Sequence, residues 1–252
     1  MKRRIVASAV VLPLLVSCCF VFAQDKVTAV TAASEAAEGL DLRAVGELFK
    51  DAKNLEEFEK ALNDPEVGVN NLDLDDNGEV DFIRVVEEVG GDTHVIVLQV
   101  PLGKDDLQDV ATIEVEKVGS DQYNMQVTGN EVIYGPAYYV VTPPEVRIVT
   151  WPIIPWIYAP AYRPYRSVFY FGYYPRWWRP FHPVTVSVYR TRTVRLTGRT
   201  TFSVTRTRRV TTVSRVHYNA RSSTRVTRKT TVTHTRGKTT VKTKTTRTRR
   251  RP

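Results

Sequence analysis

Val110-Ala111-Thr112-Ile113-Glu114-Val115-Glu116-Lys117-Val118 decides the fold class. Ala111, Ile113 and Val115 alternate with Thr112, Glu114 and Glu116. That period of two predicts a strand with one dry face and one wet face. On either side of it, Val80 to Val86, His94 to Val100, Tyr123 to Val127 and Tyr138 to Val141 are rich in β-branched residues and read as further strands. Gly90-Gly91-Asp92, Gly119-Ser120-Asp121 and Gly129-Asn130 supply turns between them. Upstream the period becomes helical. Asp41 is placed to cap a helix whose Leu42, Val45, Leu48, Phe49 and Ala52 share a face. Asn54 followed by Glu57 makes a capping box for a second helix with Leu55, Phe58 and Leu62 turned inward, and Asp64-Pro65 ends it. Helices followed by a meander predict an α+β fold, the helices packed on one face of a small antiparallel sheet.

Charge divides the chain more sharply than its net +9 suggests. All 27 acidic residues lie between Asp25 and Glu145. Residues 24–150 hold nine basic groups against them, a net of −18, whereas residues 184–252 hold 20 Lys and Arg and no acid. Such asymmetry speaks to partners rather than to fold. It predicts an acidic globular domain at 24–150, an aromatic and proline-rich segment at 151–183, and a basic tail at 184–252. The tail is Thr, Arg, Lys and Val with few large apolar groups, a composition that predicts disorder.

The N-terminus reads as an export signal over residues 1–23. Lys2, Arg3 and Arg4 precede the apolar run Ile5 to Ala23, and Val21-Phe22-Ala23 fits the small-residue rule of signal peptidase. A retained anchor is the rival, since the run approaches the ~20 residues that span a bilayer. Pro13 and the lack of a stop-transfer flank weigh against it. Leu15-Val16-Ser17-Cys18 also resembles a bacterial lipobox, which would make Cys18 a lipid anchor, although Cys19 to Phe22 stays apolar. Both cysteines lie in this segment, so cleavage after Ala23 leaves no thiol. The expected location is the periplasm or the outer-membrane or cell surface.

Asp73-Leu74-Asp75-Asp76-Asn77-Gly78-Glu79-Val80-Asp81 fits D-x-D-x-[DN]-G-x-x-D. Alternate side chains converge on one centre, Gly78 permits the turn, and hard oxygen donors at this spacing suit Ca²⁺. An EF-hand places a bidentate Glu at the twelfth position, where this chain has Arg84. The stretch Asp73 to Val85 more closely resembles the integrin-type (FG-GAP) calcium loop. That resemblance implies a ligand set of Asp73, Asp75, Asn77, the Glu79 carbonyl and Asp81. It covers about a dozen residues, and with no second copy of the loop it implies no propeller. The other reading is a solvated Asp/Asn/Gly turn joining helix to strand. If calcium binds, a structural clip is expected rather than a sensor or a catalytic centre.

Trp151 to Pro183 holds all four tryptophans, 13 aromatic residues, seven prolines, and Arg163, Arg166, Arg176 and Arg179. Prolines at this density predict neither helix nor central strand. Three roles are open to it: completing the core, a surface platform for a partner, glycan or lipid headgroup, and a nucleic-acid stacking platform. The whole chain resembles a set of uncharacterised exported bacterial proteins. They share the Asp73–Val85 type of loop, the strand pattern through Gln108 to Glu114, a block like Tyr173-Tyr174-Pro175-Arg176-Trp177-Trp178-Arg179-Pro180, and a basic tail. This likeness supports the layout and implies no activity.

The tail has recurring Arg/Thr pairs without a strict period, as in Arg190 to Thr193 and Thr205 to Arg208, and its Thr/Val alternation at Val184 to Val188 and Thr239 to Thr243 leaves room for strands. Its charge will attract polyanions in a salt-dependent way. The candidates are anionic envelope polymers or lipids, the acidic domain itself in cis or in a neighbouring copy, and nucleic acid. No nucleophile elbow, phosphate-cradling Gly loop or paired metal-binding histidines occur, and the four histidines are scattered. His94 reads as a turn or strand-edge residue. A non-enzymatic exported envelope protein is therefore expected. The alternatives are a nucleic-acid-binding protein acting through the tail and a hydrolase built on two carboxylates.

Overall fold

The structure is a computed structural model that describes residues 35–199, 202–210, 224–235 and 238–249. Residues 1–23, with the export signal and both cysteines, lie outside that description. Among the described residues, no helix is long and apolar enough to cross a membrane.

Both N-terminal helices form where their caps predict them. In α1 (Leu42–Asp51), Asp41 Oδ1 accepts the Arg43 amide at 2.9 Å. In α2 (Leu55–Leu62), Asn54 Oδ1 accepts the Glu57 amide at 2.8 Å. The Glu57 carboxylate reaches back to the amide of Lys53, one residue before the cap, at 3.2 Å. Each cap satisfies a donor the first turn leaves unpaired. Phe49 and Phe58 then join the two helices edge to face at 5.6 Å.

The sheet is a continuous antiparallel meander of β1 (Arg84–Gly90), β2 (Thr93–Gly103), β3 (Asp106–Lys117), β4 (Tyr123–Gly129) and β5 (Tyr139–Val141), with a one-turn helix α3 (Glu131–Tyr134) between the last two. Ile113 stands opposite Ile96 on one side and Val127 on the other, so the dry residues of adjacent strands form one layer. With Leu98, Phe49, Phe58 and Leu62 they make the core between sheet and helices. The α+β expectation thus holds at the level of helices and an antiparallel sheet. The first strand starts later than its sequence predicts. Residues 80–83 are held instead by Phe181 O, Leu72 O and Asn63 Oδ1, which accept the amides of Val80, Asp81 and Ile83.

Four further expectations need correction. First, the wet face of β3 is not wet. Thr112 and Glu114 are 9% and 1% exposed, and Thr112 Oγ1 and Gln126 Nε2 both donate to the Glu114 carboxylate. The chain covers this face itself. Arg209 N and Val210 N donate to Gln126 Oε1 at 2.7 and 3.0 Å, and Val210 packs with Val95 and Val97. Second, the proline-rich segment does form a helix, α4 (Ile153–Ile157). It is one turn long, and Pro155 lies where a helical amide has no acceptor to lose.

Third, residues 184–210 belong to the folded unit rather than to a disordered tail. They form α5 (Val186–Thr197), where strand pairing had been open to Val184–Val188, and a sixth strand β6 (Ser203–Thr205) beside β5. Tyr189 anchors α5, its hydroxyl donating to Val69 O at 2.9 Å and accepting the Asp41 amide at 2.6 Å. Arg190 and Arg199 reach Glu38 and Asp51 at 2.9 and 2.8 Å. Phe202 lies on Gly46 of α1, where an added Cβ would stand 2.9 Å from the Phe202 ring. Beyond this, Thr224–Thr235 (β7) and Lys238–Arg249 (β8) pair as an antiparallel hairpin. Fourth, His94 is neither in a turn nor at an open edge. It sits in β2, 4% exposed.

Candidate functional site: an acidic loop and an aromatic face

The Asp-rich loop joins α2 to the lead-in of β1. Asp76 and Gly78 adopt left-handed φ values of 62° and 84°, so the loop turns tightly enough for its alternate side chains to point inward. Carboxylate oxygens of Asp73, Asp75 and Asp81 lie within 4.8 Å of one another. Two ligands of one Ca²⁺ bound at ~2.4 Å stand no farther apart than about that, and carboxylate oxygens are the hard donors this ion takes. Burial, reinforced by the charge of Asp73, pushes the Asp81 carboxyl up to about 7, against the pull of a hydrogen bond from the Leu74 amide.

The other members of the expected ligand set are an amide side chain and a main-chain carbonyl. Asn77 Oδ1 caps the Glu79 amide at 2.7 Å, and both residues are exposed. The Asp73 carboxylate accepts the amides of Asn77 and Gly78 at 3.1 and 3.0 Å, which shapes the turn with or without an ion. Arg84 is directed away from the loop, where its guanidinium donates to Ser167 O at 3.2 Å.

The loop is physically joined to the aromatic segment. His182 Nδ1 stands 2.7 Å from Gly78 O, and Phe181 O accepts the Val80 amide at 2.7 Å. Next to Asp81, the buried ring of Phe82 meets Phe169, Tyr174, Trp177 and Trp178 at 5.8, 5.6, 6.4 and 5.3 Å. Past Trp178 the chain returns to the loop, and Asn71 binds Val184 through both its amide nitrogen and its oxygen.

A second anchorage lies under the earlier part of the same segment. Glu87 on β1 is buried, with Oε1 2.7 Å from His94 Nδ1. Its Oε2 accepts the Tyr162 hydroxyl and the Tyr165 amide. The His94 ring packs edge-on against Tyr158 at 4.5 Å. Nearby Glu59 of α2 accepts the Val85 amide at 2.6 Å, Ser167 Oγ at 3.0 Å and the Tyr165 hydroxyl at 3.4 Å. Burial raises the Glu59 carboxyl to about 7, with those hydrogen bonds opposing the shift. Sequence reasoning missed both carboxylates, because Glu in a strand or helix reads as a solvent-facing residue. The available signal was Glu87 and His94 flanking a tight Gly90-Gly91 turn, which places them near each other across a hairpin.

The aromatic segment therefore has two kinds of surface. Trp151, Ile153, Ile154 and Ile157 complete the core. Val168, Tyr170, Phe171, Tyr173 and Trp177 face solvent, at 68, 57, 47, 51 and 44% exposure. Compared with protein-family models, curated proteins and solved structures, the chain matches none.

Proposed function

We propose that this is a non-enzymatic exported protein of a bacterial envelope, in which a calcium-clipped α+β domain is held to anionic envelope material by its basic C-terminus. The observation that carries the reading is the separation of charge between residues 35–210 and residues 211–252. The folded unit 35–210 has 26 acidic and 19 basic residues, a net of −7, while residues 211–252 have 13 basic residues and no acid. A polycation joined to an anionic body binds polyanions chiefly through counterion release. The carboxylate pairs inside the fold support the non-enzymatic reading. Glu59 and Glu87 are occupied by tyrosine, serine and main-chain donors from the aromatic segment and by His94 and the Val85 amide of the sheet, so their chemistry is anchorage.

Calcium enters this proposal as a clip. An ion among Asp73, Asp75 and Asp81 would offset their repulsion and fix the turn that holds Phe82 and His182 in place. Saturating calcium is expected to raise the melting temperature, with stabilisation of about 2.7 kcal/mol at a hundredfold excess over Kd. The effect requires Asp81 to be ionised, so it should shrink as pH falls below about 7. An unchanged melting temperature, or an unchanged shift in Asp73→Ala, removes the calcium clip from the proposal. The tether is tested by cell fractionation of the chain truncated after Val210. Loss of the envelope-bound fraction at low ionic strength supports it, and unaltered retention refutes it.

A further inference from the structure

The nine exposed large apolar side chains of the described residues are unevenly distributed: five lie within Val168–Trp177. Their geometry is that of a projecting tip. Tyr170 and Tyr173 exchange both backbone hydrogen bonds, Tyr170 N to Tyr173 O at 3.1 Å and Tyr173 N to Tyr170 O at 2.8 Å, and their rings stack at 5.1 Å. Only Phe171 and Gly172 lie between them. Gly172 has φ +78, which places the turn in the left-handed region, and no heavy atom stands within 4 Å of where its Cβ would be. The tip is thus open on its outer side and carries Phe171 at its apex. Phe82, buried behind it, fixes the base through Phe169, Tyr174 and Trp178.

Charge identifies what such a tip can enter. Arg163, Arg166, Arg176 and Arg179 are all exposed, and residues 151–183 contain no acid. Lys60 of α2 adds a cation 5.8 Å from the Trp177 ring. Exposed apolar and aromatic side chains in a segment whose exposed charges are all cationic match the boundary between acyl chains and anionic headgroups. There tryptophan and tyrosine sit at the headgroup level and arginine pairs with phosphate. A saccharide platform would present polar ring edges in a cleft, whereas Val168 and Phe171 have no hydrogen-bonding atoms and lie on an open tip.

We propose that the Val168–Trp177 tip is a lipid-inserting wedge for anionic bilayers. This rests on the envelope-tether reading and names its lipid contact. It differs from the tail in kind: the tail binds by charge and is released by salt, while a wedge held by apolar burial persists in salt.

The test uses the full chain with phosphatidylglycerol/phosphatidylethanolamine vesicles and, separately, phosphatidylcholine vesicles, each with bromine on the acyl chains. Trp177 is the natural reporter, since Trp151 and Trp178 are 4 and 5% exposed and Trp156 is half-buried. The expected result is quenching by the anionic vesicles that survives high salt and is abolished in Trp177→Phe. Val168→Ser with Phe171→Ser should weaken high-salt partitioning by roughly tenfold or more, since two apolar side chains lose their burial. The melting temperature of that double variant should match the parent, because both side chains are exposed. Co-sedimentation at low salt without Trp177 quenching overturns the wedge and leaves the tether standing. Salt-resistant quenching in a chain truncated after Val210, with no low-salt gain from the tail, does the reverse. Equal quenching by phosphatidylcholine overturns the anionic specificity, and quenching that persists in Trp177→Phe overturns the placement.

Discussion

The two halves of the aromatic segment are both rich in aromatic residues and have opposite fates. Trp151–Tyr165 sinks into the fold, with Trp151 4% exposed, while Val168–Trp177 projects five apolar side chains into solvent. Aromatic content does not explain this, since the exposed stretch has six aromatic residues in ten and the buried one five in fifteen. The sheet and α2 do, because they offer the first half polar anchors. Glu87 and Glu59 accept donors from Tyr162, Tyr165 and Ser167, so the chain can lie flat on β1 with its polar atoms satisfied. The second half meets one buried ring, Phe82, which gathers its base and leaves its tip outside. Burial of an aromatic-rich stretch is set by where its hydrogen bonds can go as much as by its apolar area.

The contrast can be broken by truncation. Trp151→Ala should cost about 3–5 kcal/mol in denaturant unfolding, as expected for a large core side chain. A loss under 1 kcal/mol would mean the first half is no more embedded than the second. Phe82→Ala should cost about 3 kcal/mol and act locally. Chymotrypsin would then cut faster after Tyr170, Phe171 and Tyr173 while the bonds after Trp156 and Tyr158 keep their resistance. Uniform sensitisation of both halves would show that Phe82 is not the divider.

The anchors of the first half should also respond to pH. Glu59 keeps its proton in the fold up to about pH 7, whereas an unfolded Glu releases it near 4.5. The folded state therefore binds more protons between these values. Stability should fall as pH rises through that window, by on the order of 2 kcal/mol, and level off above it. Glu59→Gln should flatten that slope. Asp81, raised for the same reason of burial, contributes a parallel slope that Asp81→Asn would remove. A slope unchanged in both variants contradicts these assignments. The smallest effect belongs to Trp177→Ala, about 0.5 kcal/mol, because the residue is 44% exposed. A cost comparable to that of Trp151→Ala would erase the distinction between the halves.

Local signals made much of this architecture legible. Asp41 and Asn54 announced the two helices, the glycine-containing turns separated the strands, and the spacing of Asp73, Asp75 and Asp81 brought three carboxylates together. What stayed hidden depended on contacts distant in sequence. Alternation along β3 reports that Thr112 and Glu114 share a face, but cannot report that Val210 and the Arg209 amide will cover it. Helix α5 is rich in threonine and valine, poor helix formers, and its burial relies on Tyr189 and Thr193, four residues apart. Tyr189 and Phe202 were the signal available, two aromatic residues in a stretch otherwise read as solvated.

Tyr189 and Phe202 also set a schedule. The Asp41 amide finds its partner in a hydroxyl 148 residues later, and Gly46 waits for the ring of Phe202. A chain made from its N-terminus presents α1 long before either closure arrives. Until residue 210 has followed, the meander lacks its last strand and part of its cover, and its assembly is deferred to late in synthesis. A protein ordered in this way stays open until the residues that close it have been made.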